Sequence, residues 1–405
     1  MFSISFPELS PKTLAVKLTA KGERSVRDHH PWIFSDSIEK LNKEGEAGDL
    51  AIIFSHTKNK VMGVGLYDPH SPIRIKMIHF DGGIQVDERF FSEKINAAFA
   101  LRQNLLKTQT NSYRLLFGEN DGFPGLIADV YAQVLVVKLY SAIWIPYLKP
   151  ILELLIATSH ANTAVLRLSR KVEQLNINGW QDGRVVYGAL ESEVVQFVEH
   201  GVQFSANVIL GHKTGYFLDH RENRRRVGDL SKGMKVLDVF SYAGGFSVHA
   251  LANGAKEVTS LDISEQALEI ALENGKLNEY QGSHHIIAGD AFEEMERLIS
   301  EKKKYNLVII DPPSFAKSAS ETAIARKKYA QLARLGHKLT ANKGILVLAS
   351  CSSRILAADF FRINTETLRA SGRNFRVMDK TYHDVDHPIG FREGAYLKCG
   401  YYQLD

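Results

Sequence analysis

Apolar and polar positions fall into three successive textures along the chain. From Lys12 to about His79, short β-like runs at 14–18, 50–54, 61–67 and 73–78 alternate with turns. In the last run, Arg74 and Lys76 alternate with Ile73, Ile75 and Met77, the period-two pattern of a half-buried strand. This part predicts a small β-barrel-like domain. After the turn Asp81-Gly82-Gly83, residues Phe91, Ile95, Ala98 and Leu105 recur near helical spacing, which predicts a helix over 88–106. A strand at 134–139, a helix at 147–158 and a strand at 165–168 then describe a mixed α/β middle domain that ends near Glu193 to Glu199.

From about Gly233 the pattern changes again. Buried-looking strands at 236–240, 258–262, 286–290, 307–311 and 345–349 are separated by amphipathic helical stretches. Short apolar strands spaced in this way mean βαβ units and a parallel, doubly wound sheet. The tail, 394–404, predicts one more strand. The fold class is α/β throughout its larger part, with expected domains at 1–82, 83–196 and 197–405.

In such a sheet, ligands bind beyond the carboxyl ends of the strands. Four of the five strands carry an acid at or near that end: Asp238, Asp262, Asp290 and Asp311. One strand-end Asp is most simply a loop cap. Four of them, beside the double glycine Gly244-Gly245 in the first βα turn, point instead to a ligand. That turn, running through Phe240, Ser241 and Tyr242, is not a G-x-G-x-x-G fingerprint, so no pyrophosphate is called for. Asp262 suits the diol of a ribose, and Ser264 is the expected N-cap of the next helix. A nucleoside with little phosphate is implied, and S-adenosylmethionine fits. Candidate cofactor residues here are Asp238, Phe240, Ser241, Tyr242, Gly244, Gly245, Asp262, Ile263, Ser264, Asp290, Ala291, Asp311 and Pro312.

The fourth strand leads into Asp311-Pro312-Pro313-Ser314-Phe315, a rigid turn whose carbonyls are free to accept. With Phe315 beside it, this platform suits a flat base carrying exocyclic amino groups. The fifth strand ends in Ser350-Cys351-Ser352. A cysteine is more often a small buried hydrophobe than a nucleophile, but Cys351 stands at the mouth of the expected crevice. Its polar neighbours and the following helix are expected to lower its pKa. Cytosine carbon 5 needs a thiolate added at carbon 6 before it can take a methyl group. Cys399, mid-strand in the tail, is expected to be structural.

Composition narrows the reading further. Fifty Lys and Arg against 46 Asp and Glu give a net charge of only +4, so basic character must come from local clusters. The run Arg221, Arg224, Arg225, Arg226 is most simply a solvated helix face, and Trp32 beside Lys21, Arg24 and Arg27 is equally a core residue; on an RNA enzyme both groups become candidate RNA contacts, alongside Phe315. Two cysteines among 405 residues exclude a disulfide framework and a thiolate metal site, and a reducing, cytoplasmic setting is expected. No metal ligand set is expected, since no H-E-x-x-H or C-x-x-C occurs. The first residues lack a basic n-region, and the apolar stretch 134–148 is broken by Lys138 and Pro146, so neither a signal peptide nor a membrane span is expected.

These motifs, taken in order, resemble the RlmI-type ribosomal RNA large-subunit cytosine-5 methyltransferases, which are class I S-adenosylmethionine enzymes. The resemblance rests on His30-Pro31-Trp32-Ile33-Phe34-Ser35, the segment 118–126 (Gly118-Glu119-Asn120-Asp121-Gly122 and onward), and Gly211-His212-Lys213-Thr214-Gly215-Tyr216-Phe217-Leu218-Asp219. It rests further on the 240–246 turn, 311–315, 350–352, Asp386-His387-Pro388, and Glu393-Gly394-Ala395-Tyr396-Leu397-Lys398. It implies an N-terminal PUA-like domain, a small central α/β domain and a C-terminal Rossmann-like methyltransferase domain. It also implies Cys351 as nucleophile, Asp311 as the group that contacts and protonates the cytosine, and Lys213, Thr214 and Gly215 over the cofactor. The implied partner is 23S ribosomal RNA or a ribosomal subunit precursor, with no membrane role and a homodimer allowed. The chain departs from the family pattern at His220 and in the longer Arg run, and no role is carried over to His220. Guanine N-methylation is the alternative activity.

Overall fold

A computed structural model describes residues 1–56, 60–316 and 318–405. The chain divides into two compact units. The first comprises 1–198, 205–218 and 385–392; the second comprises 199–204, 219–384 and 393–405.

The first unit holds two sheets. One has six strands in the spatial order 32–34, 73–80, 61–67, 50–54, 13–18, 38–41, around a core of Leu14, Val16, Leu18, Ile53 and Ile75. Residues 20–27 form a short helix, and this helix and the strands at 32–34 and 38–41 are too short to announce themselves by periodicity. Strand 73–80 does not show a wet face at Lys76. The side chain is buried, with Nζ 2.6 Å from Asp68 Oδ2, so paired charge replaces exposure. The second sheet runs 184–187, 163–168, 134–139, 126–131, 112–117.

The predicted helix is found at Glu88–Leu106, capped by Asp87, whose side chain accepts the Phe90 N–H. Phe91, Ile95, Ala98 and Leu105 form its buried face, and Arg102 joins them with its charge held by Asp121 at 2.6 Å. The segment Ala142–Ser159 is long and apolar enough to span a bilayer by length and composition. Here it is a 3-10 turn followed by helix Leu148–Ser159, and Trp144, Leu148, Ile151 and Leu152 pack into the core of the first unit.

The second unit is built on seven strands: β1 Lys235–Val239, β2 Glu257–Asp262, β3 Ser283–Ala288, β4 Tyr305–Ile310, β5 Thr340–Ser350, β6 Phe375–Thr381 and β7 Lys398–Leu404. Their order is β3-β2-β1-β4-β5-β7-β6. The first five pair in parallel, and β7 runs antiparallel to both neighbours. Helices α1 Arg221–Leu230, α2 Gly245–Ala252, α3 Glu265–Lys276, α4 Ala291–Ser300, α5 Thr322–Leu339 and α6 Ala357–Ala370 accompany the strands. Central strands are apolar on both faces, as helices on two sides require; Leu237, Val239, Val308 and Ile310 belong to one core cluster and Val236, Leu307 and Ile309 to another. β3 differs from expectation. It starts earlier, stops at Ala288 and is largely exposed, because it is an edge strand. β6, the other edge, is also polar and was not predicted.

Candidate active site

The sheet order reverses around β1, so its carboxyl end opens beside that of β4. The chain leaves β1 through strained backbone: φ is 65° at Phe240, 47° at Tyr242 and 77° at Gly244. A residue with a side chain in this region costs about 1–3 kcal/mol, so the neighbours must impose the shape. They do so with hydrogen bonds. Phe240 and Ser241 both donate their N–H to Leu261 O, at 2.8 and 3.0 Å. Tyr242 N–H donates to Asp262 Oδ2 at 2.8 Å. Gly244 admits no side chain, since a Cβ there would lie 2.7 Å from Ala271 Cβ. Gly245 then opens α2.

Each strand-end acid has a different environment. Asp238 is fully buried; its Oδ2 accepts from Ser247 N–H at 3.0 Å and Ser247 Oγ at 2.7 Å. Burial pushes its pKa up to about 7, and the charges of Asp311 and Asp262 add to this against the Ser247 bonds. Asp262 ends β2, and its second oxygen accepts Ser264 N–H at 3.0 Å. Ser264 is the expected N-cap, taking Ala267 N–H, while Ile263 between them is 74% exposed. Asp290 caps α4, with Oδ1 accepting from Phe292 and Glu293 N–H at 2.9 and 3.2 Å, and Ala291 is buried behind it. At Asp290, therefore, the capping role is the one observed. Asp311 follows β4, with Oδ2 3.3 Å from His220 Nε2.

The buried polar atoms here that lack a hydrogen-bond partner among the described residues include Asp238 Oδ1, Ser241 Oγ and Asp311 Oδ1. A buried acceptor left in that state costs about 1–3 kcal/mol. Such a group at the carboxyl end of β1 and β4 is what a donor-bearing ligand would satisfy. The hydroxyls and ammonium of S-adenosylmethionine supply donors of that kind, and the exposed Ile263 offers an apolar surface for a flat ring. The residues present fit this cofactor.

Cys351 follows β5 directly, and its thiol donates to Pro312 O at 3.7 Å. The free carbonyl expected of the proline turn is thus used by the thiol. The expected lowering of the Cys351 pKa is not found: burial pushes it up to about 12, Asp311 and Asp219 add to the rise, and Lys398 opposes it. Helix α6 begins only at Ala357, after the segment 351–356, rather than directly behind the cysteine. Cys399 is buried within β7, as a structural cysteine should be. Phe315 is half-buried against Tyr329, ring centroids 5.2 Å apart, with Lys328 Nζ 5.0 Å from its ring.

Other candidates stand elsewhere or are otherwise employed. Lys213, Thr214 and Gly215 belong to the first unit. There the buried Thr214 hydroxyl donates to Asp129 Oδ2 at 2.5 Å and shares a hydrogen bond with Tyr131, while Lys138 donates to Lys213 O. Arg224, expected at RNA phosphates, is buried and takes both oxygens of buried Glu199 at 2.7 and 2.6 Å, which makes it a core ion pair. Arg225 is paired with Glu222 and Asp229, and Arg221 with Asp384. A helix that supplies its own carboxylates leaves little free positive charge. Lys21, Arg24 and Arg27 do lie exposed along one side of helix 20–27, with Lys21 near Asp36 and Arg27 paired to Glu23. Trp32 is half-buried, donating its indole N–H to Glu119 and packing edge-on against Phe391.

Two residues of the second unit join the site without having been singled out. His220 is buried against Asp311; burial opposes its charge, but Asp311 outweighs this and raises its pKa. Lys398 is buried at the start of β7, beside Ser350 in the strand pairing. Lys398 closes a quoted motif and His220 was noted only as a departure from the family pattern, yet neither burial nor the pairing that makes them relevant is visible in one dimension.

Comparison with known proteins follows the same line. The sequence profile described as S-adenosylmethionine-dependent methyltransferase matches residues 115–393, and a PUA-like domain profile matches 16–80. The chain is 42% identical over 409 aligned residues to the ribosomal RNA large subunit methyltransferase of Deinococcus radiodurans, covering 99% of this chain and 100% of that protein. It is 33% identical to the ribosomal RNA large subunit methyltransferase I of Aeromonas salmonicida, covering 93% and 96%. A solved candidate SAM-dependent methyltransferase from Streptococcus mutans has the same fold, with TM-score 0.80 at 19% identity, over 96% of this chain and 99% of that one. A second, solved in complex with SAH, matches at TM-score 0.80 and 19% identity over 97% and 100%.

Proposed function

We propose, for a chain that belongs to the S-adenosylmethionine-dependent methyltransferase family, methyl transfer to carbon 5 of a cytosine in large-subunit ribosomal RNA. The observation that carries this reading is Cys351 at the carboxyl end of β5, against the Asp311-Pro312 turn. The names of the relatives support ribosomal RNA as the substrate, and the PUA-like segment supports RNA binding.

Asp238, Ser241, Tyr242, Asp262 and Ile263 hold the cofactor, which supplies one electrophilic methyl group when bound. Cys351 Sγ, as thiolate, bonds to carbon 6 of the ring and makes carbon 5 nucleophilic. After carbon 5 has gained the methyl group its proton passes to water, the C–H electron pair forms the carbon 5–carbon 6 double bond, the sulfur–carbon bond breaks with its electron pair returning to sulfur, and the ring gives its added proton back to Asp311. Asp311 Oδ1, without a partner in the free protein, faces the base and holds the proton that neutralises the ring as the sulfur adds. The rigid Pro312-Pro313 turn fixes the distance between this carboxylate and the thiol.

The test is nucleoside mass spectrometry of ribosomal RNA treated with wild-type and Cys351→Ala protein. Wild type should yield 5-methylcytidine and the variant none. RNA carrying 5-fluorocytidine should remain covalently attached to wild type, since fluorine cannot leave as the proton does. A Cys351→Ala protein that makes 5-methylcytidine at the wild-type rate overturns the covalent mechanism. Methylated guanosine as the product overturns the cytosine assignment.

A further inference from the structure

Lys398 presents a physical problem. Its side chain is buried, 1% exposed, and it carries no carboxylate partner among the described residues. Nζ donates to two backbone carbonyls, Ser352 O and Tyr396 O, the latter at 3.0 Å. Burying an ammonium is expensive unless a counter-charge is present. The one titratable group acting on it appreciably is Cys351.

The groups facing Cys351 are few. Asp311 follows β4, Asp219 precedes α1, Lys398 opens β7, and Tyr329 lies on α5. Asp219 is engaged by the Tyr396 hydroxyl at 2.8 Å, and Tyr329 bonds Ser350 Oγ at 2.9 Å. Both carboxylates oppose a thiolate, and the tyrosine, itself pushed up by burial, brings no positive charge. Lys398 is the sole cation in this set. The chain fixes it there on both sides of the cysteine: Ser350 pairs with Lys398 across the antiparallel β5–β7 ladder, and Nζ donates to Ser352 O, so the ammonium lies against the backbone that carries Cys351.

We propose that Lys398 is a positioning residue for Cys351, taking the thiol proton and then holding the resulting thiolate as an ion pair. This rests on Cys351 being the nucleophile. The S–H bond breaks, its electron pair stays on sulfur, and the proton goes to the Nζ lone pair. When the sulfur–carbon bond breaks at the end of the reaction, the thiolate takes that proton back. The two carbonyls occupy two N–H groups of Nζ, so the third position alternates between lone pair and proton. Burial lowers the lysine pKa to about 8 and raises that of the thiol to about 12, so the proton moves uphill and the ion pair is drawn on as the thiolate bonds to carbon 6.

Two measurements on the full chain test this. The first is the rate of Cys351 alkylation by iodoacetamide against pH, read by peptide mass spectrometry, in wild type and Lys398→Met. Loss of the cation should slow alkylation at pH 8–9 at least tenfold. Equal rates at every pH overturn the proposal, even if the variant melts at a lower temperature. The second covers the case in which Lys398→Met does not fold. Lys398→Arg keeps the charge but cannot accept a proton. Wild-type methyl transfer should rise with pH and level off near 8; the Arg variant should be at least tenfold slower at pH 8 and show no levelling there. Matching pH profiles for Arg and wild type overturn proton transfer to Lys398. Alkylation of Cys351 is read independently of RNA, so an active Cys351→Ala protein would remove the nucleophile reading, and with it the methyl-transfer profile, without altering the alkylation result.

Discussion

Replacing Asp238 by Asn should stabilise the cofactor-free protein at alkaline pH while weakening cofactor binding. Asp238 is fully buried, and its pKa rises from the ordinary 3.8 to about 7. The folded state therefore binds this proton more tightly than the unfolded state does. Its contribution to stability is full below about pH 4, falls as pH rises toward 7, and is flat above. At about 1.4 kcal/mol for each tenfold change, the ionised carboxylate costs the fold about 4 kcal/mol at pH 8. Asn does not titrate and avoids that cost, which is already net of the two Ser247 bonds that favour the ionised form. The gain is about 4 kcal/mol at pH 8 and about 1–2 kcal/mol at pH 5. Thermal melts of both proteins without cofactor, from pH 5 to 9, should show a difference that grows with pH by several degrees. A difference independent of pH, or one favouring wild type at pH 8, refutes the reasoning. Calorimetry with S-adenosylmethionine at pH 6 should show proton release by wild type and none by the variant, with weaker binding in the variant.

Three further outcomes follow from the same geometry. Gly244→Ala puts a side chain at φ 77° and 2.7 Å from Ala271 Cβ, so it should cost about 1–3 kcal/mol in urea unfolding and weaken cofactor binding in calorimetry. Arg224→Ala strands buried Glu199, whose carboxyl this arginine helps hold well below the usual range. The variant should lose about 3–5 kcal/mol, read as a lower urea midpoint, whereas a surface arginine would change little. His220 is raised by Asp311, so the stability of that pair is fully present below pH 6.5 and is lost as pH passes through the raised value. In Asp311→Asn burial and Arg224 are opposed only by Asp219, and the His220 ring titration followed by NMR should move down from its wild-type position.

The sequence read well where local pattern carries the information. The helix over 88–106 and the strands 50–54, 61–67 and 134–139 match the observed elements because periodicity and capping are properties of neighbouring residues. The succession of apolar strands after Gly233 was enough for a parallel sheet, and so for a site at the carboxyl ends. Edge strands were read poorly: β3 was placed too late and β6 missed, because an edge strand needs no apolar face. The Arg run was misjudged for a related reason. A count of charges along the chain does not show that Glu199, Glu222 and Asp379 come to meet them.

By itself, then, the amino-acid sequence determined the architecture, the strand-end acids, the double-glycine turn and the position of Cys351 after a buried strand. Each depends on residue type and spacing. The tertiary structure alone decided the electrostatic state of those residues. Asp238 is raised because the fold buries it near two other carboxylates, and Cys351 is raised by burial first and then by Asp311 and Asp219, which converge on it from different elements. Lys398 reaches the backbone beside that thiol, through Ser352 O, because β7 returns antiparallel beside β5. Burial and through-space charge are set by segments distant in the chain, and these turn a list of residues into a site with a defined chemistry.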